Sequence, residues 1–208
     1  MADHYFSAQP GSEHEDRHFV CEFEGKSLYF ETDAGVFSKQ HVDPGSELLC
    51  RTLPAELAGD VLDMGCGWGA MTVMMLSTHP GIRATMAEIN ERALELARKN
   101  VALNGMTAEA VLTDGFQQIR GQFDAVIMNP PIRAGKRVIY QMFTDAKAHL
   151  KPEGSLFLVI RKQQGAPSAL SFLKEIYDSA DVRTKEGGYW IIQCTQHAGE
   201  EGDEQRGV

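Results

Sequence analysis

One short segment of the sequence combines an acid with three glycines at alternate positions. It runs Val61-Leu-Asp-Met-Gly-Cys-Gly-Trp-Gly69, where an apolar run ends at Asp63. The pattern predicts a buried strand, a tight turn and a helix that begins near Trp68, because glycine lets the backbone pass close to a ligand. Free N–H groups at the start of that helix would face the ligand. The segment therefore predicts a nucleotide-type pocket.

The spacing alone leaves the nucleotide open, since Gly65-x-Gly67-x-x-Ala70 also satisfies the loose dinucleotide fingerprint. With Asp63 and Gly69 the pattern becomes Asp-x-Gly-x-Gly-x-Gly, which resembles the first motif of class I methyltransferases. In that family the acid and the loop amides hold the methionine end of the cofactor. The resemblance implies S-adenosylmethionine as cofactor and S-adenosylhomocysteine as product. Cys66 lies in the same loop and is expected to line the site.

Acids also follow the next two predicted strands, and ligands of open parallel sheets bind at the carboxyl ends of the strands. Glu88, with Ile89 beside it, is placed to accept hydrogen bonds from the two hydroxyls of a ribose. Asp114-Gly115-Phe116 follows the third strand. There the acid can accept from an adenine amino group, a backbone N–H can meet a ring nitrogen, and the aromatic ring can pack on the base. We expect both segments to bind the cofactor.

The segment Asn129-Pro130-Pro131-Ile132 follows the fourth predicted strand. It resembles the Asn-Pro-Pro-aromatic motif of methyltransferases that act on planar amino nitrogens, except that Ile132 replaces the aromatic residue that stacks on the target. Such an amine is a poor nucleophile because its lone pair is delocalised. The Asn129 side-chain oxygen and the Pro130 carbonyl can each accept one amine hydrogen, which aims the remaining lone pair at the methyl group. The resemblance implies that all four residues are catalytic and that Asn129 also contacts the cofactor.

Four further segments narrow the resemblance, at positions 32–38, 42–46, 132–136 and 162–168. Together they resemble the "methyltransferase small" domain of bacterial 16S rRNA guanine-N2 methyltransferases, and the chain looks like a single-domain member of that group. The similarity extends over residues 17 to 195. It implies that Thr32, Gly35 and Phe37 line the substrate site.

Basic residues follow the fourth and fifth predicted strands on the expected ligand side: Arg133, Lys136, Arg137, Arg161 and Lys162. They could form a local positive rim for phosphates, although a net charge of −9 argues against a protein that coats nucleic acid by bulk electrostatics. Ordinary solvated charges are the alternative. We expect Arg133, Lys136 and Lys162 to contact structured RNA, either ribosomal RNA or a ribosomal assembly intermediate.

Alternating apolar strands and amphipathic helices predict the elements that would position these residues. Strands are predicted at 60–64, 82–88, 108–113, 123–128 and 154–160, each covered on both faces, with helices at 68–78, 91–104, 136–150 and 167–179. A hairpin over 181–195 follows, and its connection is too short for a parallel crossover. Another hairpin lies near the N-terminus, and Asp43-Pro44 opens a helix that ends near Leu53.

These elements predict an α/β protein with a three-layer, Rossmann-like class I methyltransferase fold. The sheet should have seven strands, be mostly parallel and end in an antiparallel C-terminal hairpin, with an N-terminal β-hairpin extension. We expect residues 1–16 to be flexible and 17–196 to form one methyltransferase domain, divided into a hairpin and helix (17–58) and a Rossmann-like core (59–196). Residues 197–208 are expected to be a disordered acidic tail.

Composition excludes several classes of protein. With 43% hydrophobic and 24% charged residues, and no apolar run near the roughly 18 residues that a membrane span needs, the chain reads as a soluble globule. The N-terminus has no secretory signal, so we expect a cytoplasmic protein that does not bind membranes. The four cysteines make no C-x-x-C pair, which argues against a metal site and predicts reduced thiols. We expect a monomer or a weak homodimer.

The leading hypothesis is an S-adenosylmethionine-dependent N-methyltransferase that acts on an exocyclic amine, with guanine N2 of ribosomal RNA as the expected target. Methylation of a protein glutamine amide or of a small molecule is an alternative that suits the acidic surface. A nicotinamide-dependent oxidoreductase is disfavoured because no proton-relay pair such as Tyr-x-x-x-Lys accompanies the glycines. A non-catalytic cofactor-binding protein that assists RNA assembly is a fourth possibility, of a different class.

Overall fold

A seven-stranded sheet forms the centre of the protein, whose computed structural model describes residues 17–32 and 41–197. The strands are β1 (Arg17–Phe23), β2 (Lys26–Thr32), β3 (Gly59–Met64), β4 (Ile82–Glu88), β5 (Glu109–Leu112), β6 (Phe123–Met128), β7 (Leu150–Arg161), β8 (Ser179–Glu186) and β9 (Tyr189–Thr195). The central sheet has the order β5-β4-β3-β6-β7-β9-β8, in which β9 pairs antiparallel with β7 and β8 and the other pairs are parallel. β1 and β2 form a separate hairpin. The predicted architecture is confirmed.

The described residues form five α-helices between these strands: α1 (Pro44–Thr52), α2 (Ala70–Thr78), α3 (Glu91–Leu103), α4 (Lys136–Ala148) and α5 (Ala166–Ile176). α2 begins two residues later than predicted, because the Gly69 N–H donates to the Cys66 carbonyl and closes a turn ahead of the helix. α5 ends earlier than predicted because Ser179 already pairs with Thr195 in the hairpin. Among the described helices, none has both the length and the apolar character that a membrane span requires.

The sheet separates two apolar cores, because successive side chains of a strand point to opposite faces. In β3, Val61 packs with α1, α2, α3 and the hairpin, whereas Leu62 and Met64 pack with α4 and α5. The expectation that every strand is covered on both faces is wrong for β5, where Leu112 is 47% exposed. β5 is the edge strand of the sheet and pairs only with β4 among the described strands.

The N-terminal hairpin is fastened to α3 by two asparagine side chains one helical turn apart. The Asn100 amide exchanges hydrogen bonds with the backbone N–H and carbonyl of Glu31 (2.7 and 2.9 Å), and Asn104 does the same with Tyr29 (2.9 and 2.7 Å). These side chains satisfy the free edge of β2 much as a neighbouring strand would. Asn100 also donates to the Trp68 carbonyl at 2.8 Å, which links the hairpin to the glycine turn.

β3 and β6 are neighbours at the point where the chain stops adding strands on one side of β3 and continues on the other side. This point determines where the site lies. Met64 at the end of β3 pairs with Ala87 of β4 on one side and with Met128 of β6 on the other. The turns that follow β3 and β6 therefore leave the same edge of the sheet at the same level. Ligands of open α/β sheets bind at such a switch point.

The terminal segments lie almost wholly outside the described residues. This holds for the predicted flexible segment 1–16 and for residues 198–208 of the predicted acidic tail. His197, the first residue of that predicted tail, donates its backbone N–H to the Asp178 carboxylate at 2.8 Å.

Candidate functional site

A cavity of about 790 Å³ opens at the carboxyl edge of the sheet, between the turns that follow β3, β4, β6 and β7. This volume is typical of a cofactor or substrate site. The predicted site residues that line it are Gly65, Cys66, Gly67, Glu88, Asn129, Pro130, Pro131, Ile132 and Arg133. The glycine turn and the Asn-Pro-Pro segment thus face one another across a single cavity.

The glycine turn forms a wall of bare backbone. Gly65 and Gly67 have φ of +75° and +57°, and a Cβ built on either would meet no atom within 4 Å, so it would project into open space. The Gly65 and Cys66 N–H groups both donate to the Ala87 carbonyl (2.8 and 3.0 Å), which fixes the turn against β4. Gly69 does not line the cavity. A Cβ there would lie 3.0 Å from the Cα of Ala97, so this glycine allows α2 and α3 to pack closely.

Asp63 lies fully buried behind the glycine turn rather than in the cavity wall. Its Oδ2 accepts a hydrogen bond from the Thr72 hydroxyl at 2.7 Å, while Oδ1 is buried and has no hydrogen-bond partner among the described residues. Burial, with a smaller contribution from the charge of Glu88, raises the pKa of Asp63 to about 7. A buried polar atom without a partner costs free energy, so Oδ1 is a strong candidate to accept from a ligand.

Glu88 joins the second strand to the glycine turn. Its Oε2 accepts from the Gly67 N–H, and its Oε1 accepts from the N–H groups of Ile89 and Asn90, all at 2.9 Å. Burial raises the pKa of Glu88, although these three hydrogen bonds act in the opposite direction. Ile89 does not line the cavity and contributes its backbone N–H instead. A carboxylate has about four acceptor positions, so Glu88 can still accept from a hydroxyl.

The side-chain amide of Asn129 has a defined orientation. Its Nδ2 donates to Oδ2 of Asp43 at 3.2 Å and to Oγ of Ser46 at 2.9 Å. Both hydrogen bonds that the side chain makes within the described chain come from the nitrogen, which leaves Oδ1 to accept from a substrate.

The backbone carbonyls of the two prolines differ in their hydrogen bonding within the described chain. Pro131 accepts from the N–H of Ala134 at 2.8 Å in a short 3-10 turn, Ile132–Ala134, so its carbonyl is committed. Within the described chain, no backbone N–H donates to the Pro130 carbonyl. Ile132 is half-buried and packs on the core that α4 and α5 share.

The predicted adenine segment lies outside this cavity. Asp114, Gly115 and Phe116 line a second cavity of about 570 Å³, next to α4. The Phe116 ring is buried and stacks on His149 with 5.1 Å between ring centroids. His149 therefore covers one face of the ring, and the role of this segment in binding adenine stays a prediction. Thr113, next to this segment, donates its N–H to the Glu88 carbonyl, so the segment remains adjacent to the end of β4.

The predicted substrate residues are placed unevenly. Arg133 lines the main cavity, but Lys136 and Lys162 do not, and the Lys136 ammonium instead lies 4.9 Å from the ring centroid of Tyr140. Thr32 is fully buried and does not line the cavity either. Gly35 and Phe37 lie outside the described residues.

Several cavity residues were not predicted as part of the site, namely His41, Asp43, Ser46, Gln164 and Tyr189. The sequence identified Asp43 as a helix cap and as part of the 42–46 segment of the family resemblance, and its hydrogen bond from the Ser46 N–H confirms the cap. The Tyr189 hydroxyl donates to Oδ1 of Asp43 at 3.5 Å, and the Arg161 guanidinium both stacks on the Tyr189 ring and donates to its hydroxyl. No local pattern marks Tyr189, because its partners lie far away in the chain.

Comparisons with known proteins agree on one family. The family model described as "Methyltransferase small domain" matches residues 27–193. The uncharacterized protein YbxB of Bacillus subtilis is 38% identical over 93% of this chain and 98% of its own length. The ribosomal RNA small subunit methyltransferase C of Cronobacter sakazakii is 32% identical over 83% of this chain.

A solved structure shares the architecture closely. The T. thermophilus 16S rRNA N2 G1207 methyltransferase, determined in complex with AdoMet and guanosine, matches 91% of this chain with a TM-score of 0.80 and 26% identity. The chain spans 53% of that structure's length and 51% of the Cronobacter protein. It therefore covers about half of these ribosomal RNA methyltransferases.

Proposed function

The chain belongs to the methyltransferase small domain family, and from that membership we propose that it transfers a methyl group from S-adenosylmethionine to an exocyclic amine, with guanine N2 of ribosomal RNA as the target. One observation supports this proposal above the others. The Asn129 amide is held with its nitrogen inward, at the edge of the same cavity that the glycine turn lines. The methyl donor and the acceptor amine can therefore meet in this cavity.

The cofactor is assigned to the half of the cavity beside β3 and β4. The bare backbone at Gly65 and Gly67 permits close approach, and the buried Oδ1 of Asp63 provides an acceptor for a cationic group. Glu88 is placed for the ribose hydroxyls. S-adenosylmethionine supplies an electrophilic methyl group on a sulfonium when it is bound. The residues present fit this cofactor, because an ammonium and a diol would satisfy acids that the fold has otherwise buried.

The amine is assigned to the half of the cavity beside β6. Oδ1 of Asn129 and the Pro130 carbonyl would each accept one amine hydrogen, which orients the remaining lone pair towards the donor. Neither proline has an N–H group that could compete for the amine. No strong base is needed in this arrangement, because the amine proton can leave after methyl transfer. Catalysis would come from alignment and from electrostatics.

Ribosomal RNA is supported as the substrate by the relatives and by charge. The T. thermophilus enzyme holds guanosine in its structure, and seven curated relatives with 31 to 40% identity bear the name of a ribosomal RNA methyltransferase, whereas YbxB is named only as an uncharacterized protein. Arg133 and Arg161 both line the cavity, so two cations stand at its mouth despite the acidic chain. A stacked guanine would have to be unpaired or flipped out to bring N2 into the cavity.

The test is transfer of labelled methyl from S-adenosylmethionine to RNA from a strain that lacks the protein. Nucleoside analysis should then find N2-methylguanosine. Label in protein glutamine or in a small molecule would support the alternative substrates, and calorimetric binding of NAD in place of S-adenosylhomocysteine would reject the methyltransferase proposal.

An Asn129→Ala variant separates catalysis from binding. It should retain S-adenosylhomocysteine binding within a few-fold and lose transfer by roughly 100-fold or more, because the amine loses one of its two acceptors. A variant that transfers at the wild-type rate would show that Asn129 has no catalytic part. Absence of transfer by the wild-type protein to all substrates, with intact cofactor binding, would favour the non-catalytic alternative.

A further inference from the structure

The proposed reaction depends on which way the Asn129 amide faces. The oxygen and the nitrogen of an amide have almost the same size, so a half-turn of the terminal group costs little steric energy. With the nitrogen outward, the side chain would point N–H groups at an amine that also carries hydrogens. Such a site would repel the amine that is to be methylated instead of orienting it. Some neighbouring group must therefore fix the amide.

Asp43 and Ser46 provide that constraint from behind the amide. Oδ2 of Asp43 lies 3.2 Å from Nδ2 of Asn129, and Oγ of Ser46 lies 2.9 Å from the same nitrogen. An ionised carboxylate can accept hydrogen bonds but cannot donate them, so only the nitrogen of the amide can face Asp43. A flipped amide would place two oxygens against each other. The carboxylate thus selects one of the two orientations.

The position of Asp43 is itself fixed by three elements. Its Oδ2 also accepts from the Ser46 N–H at 2.9 Å as the cap of α1, and its Oδ1 accepts from the Tyr189 hydroxyl of β9 at 3.5 Å. The first turn of α1 lies directly on the Tyr189 ring, since a Cβ on Gly45 would lie 2.5 Å from a ring carbon. Asp43 is therefore held between α1, β6 and β9.

We propose that Asp43 is a positioning residue that, together with Ser46, holds the Asn129 amide with its oxygen towards the acceptor amine. This inference rests on the proposed function for its kinetic consequence. It also makes a prediction about the resting protein that does not depend on any substrate.

Three substitutions at Asp43 separate positioning from helix capping. Asp43→Asn keeps an oxygen that can accept from both the Ser46 N–H and Asn129. Asp43→Ser keeps a capping oxygen, but its side chain is one atom shorter and falls back from Asn129. Asp43→Ala loses both contacts. Asparagine and serine cap helices about as well as aspartate, whereas alanine has no side-chain oxygen and leaves the helix uncapped.

The rate of methyl transfer should depend on whether the variant keeps the contact to Asn129, and not on whether it keeps the helix cap. We expect kcat of Asp43→Ser and Asp43→Ala to fall roughly 10- to 100-fold, Asp43→Asn to stay within a few-fold of wild type, and the KM for S-adenosylmethionine to change little in all three. Thermal unfolding should single out Asp43→Ala alone. Wild-type kcat in Asp43→Ser would show that Asp43 serves only as a cap and would overturn the proposal.

A second measurement reads the amide directly in the absence of substrate. The side-chain NH2 protons of Asn129 can be assigned in an ¹⁵N-labelled protein by their disappearance in Asn129→Ala. They should exchange slowly in wild type and in Asp43→Asn, and several-fold faster in Asp43→Ser, where Ser46 alone still accepts from the Asn129 nitrogen. Equal, fast exchange in all of them would overturn the proposal. Slow exchange in a protein that methylates no RNA would instead count against the proposed function alone.

Discussion

The two ends of β3 each carry an aspartate, and the fold treats them in opposite ways. At the amino end, Asp60 is paired with Arg83 at 2.8 Å and Lys151 at 2.9 Å, and these hydrogen bonds lower its pKa to about 2. At the carboxyl end, Asp63 has only the Thr72 hydroxyl, and burial raises its pKa to about 7. Asp60 and Asp63 are only three residues apart in β3, yet their environments shift the pKa in opposite directions.

The difference shows which edge of the sheet is built for function. A carboxyl whose pKa falls on folding stabilises the protein at neutral pH, whereas one whose pKa rises destabilises it. Glu88, next to Asp63, also has a raised pKa because of burial. Clustered acids with raised pKa values beside a cavity mark a binding site. The amino edge thus contributes stability, and the carboxyl edge gives up stability to provide acceptors for a ligand.

The largest expected effect comes from filling the cavity wall. Gly67→Val should weaken S-adenosylhomocysteine binding by roughly 100-fold or more, because the new side chain stands where the ligand must approach.

Gly121→Val is the matched control before β6, at the opposite edge. Its φ is +81° and its Cβ would also meet no atom within 4 Å, so it brings similar backbone strain without entering the cavity. Calorimetry should find near-wild-type binding in Gly121→Val. Equal losses in both variants would show that strain, and not the cavity, is responsible.

Asp63→Asn should stabilise the protein when no cofactor is bound. The folded pKa of about 7 lies above the ordinary 3.8, so wild-type stability falls as pH rises between these values. At about pH 8 the ionised form costs up to ~4 kcal/mol at ~1.36 kcal/mol per unit. An asparagine leaves one buried N–H group without a partner, at ~1–3 kcal/mol. We expect a net gain of about 2 kcal/mol at about pH 8, which vanishes near about pH 5 and turns into a loss of about 1–2 kcal/mol near about pH 4.

Thermal unfolding across this range is the measurement. A variant that is less stable than wild type at both pH values would show that Asp63 stabilises the fold, and the contrast with Asp60 would then be lost. The same variant should bind S-adenosylhomocysteine more weakly, since the charge that attracts its ammonium is gone.

The sequence predicts which residues lie at the ends of the strands better than it predicts which distant side chains contact them. The glycine turn and Asn129 follow their own strands, so local periodicity was enough to place both at one edge. Asp43 lies 86 residues from Asn129 and 146 from Tyr189, and no local pattern reports contacts over such distances. The stacking of Phe116 on His149 was missed for the same reason. The glycine motif identifies Asp63 and not Asp60, but only packing decides that Asp63 is buried and that Asp60 is paired with Arg83 and Lys151.

Cofactor affinity should depend on pH through Asp63. Binding of the ligand's ammonium group favours the ionised acid, so the free protein must release a proton when the pH is below the pKa of about 7. Affinity for S-adenosylhomocysteine should therefore fall by up to about tenfold for each pH unit below about 7, and change little above it. Calorimetry between about pH 5.5 and 8 tests this. Asp63→Asn should flatten the curve, and an unchanged slope in that variant would assign the dependence to another group, such as Glu88.

The smallest effect is expected at the amino edge, where Lys151 bridges Asp60 and Asp124 at 2.9 and 2.8 Å. Lys151→Ala should lower the stability only slightly at pH 7, because solvent screens both of these ion pairs. Arg83→Ala should cost less, because Arg83 is 72% exposed.

The Lys151→Ala variant also completes the contrast between the two edges. The lowered pKa of Asp60 gives stability that is present above its ordinary value of 3.8 and is lost as the pH falls towards 2, so wild type and Lys151→Ala should converge in acid. The variant should bind S-adenosylhomocysteine as wild type does, because the ion pairs and the cavity lie at opposite ends of the strands. A loss of affinity comparable to that of Asp63→Asn would mean that the two edges are coupled through β3. Unchanged affinity with reduced stability, opposite to Asp63→Asn on both measures, would establish that one strand carries a stabilising end and a binding end.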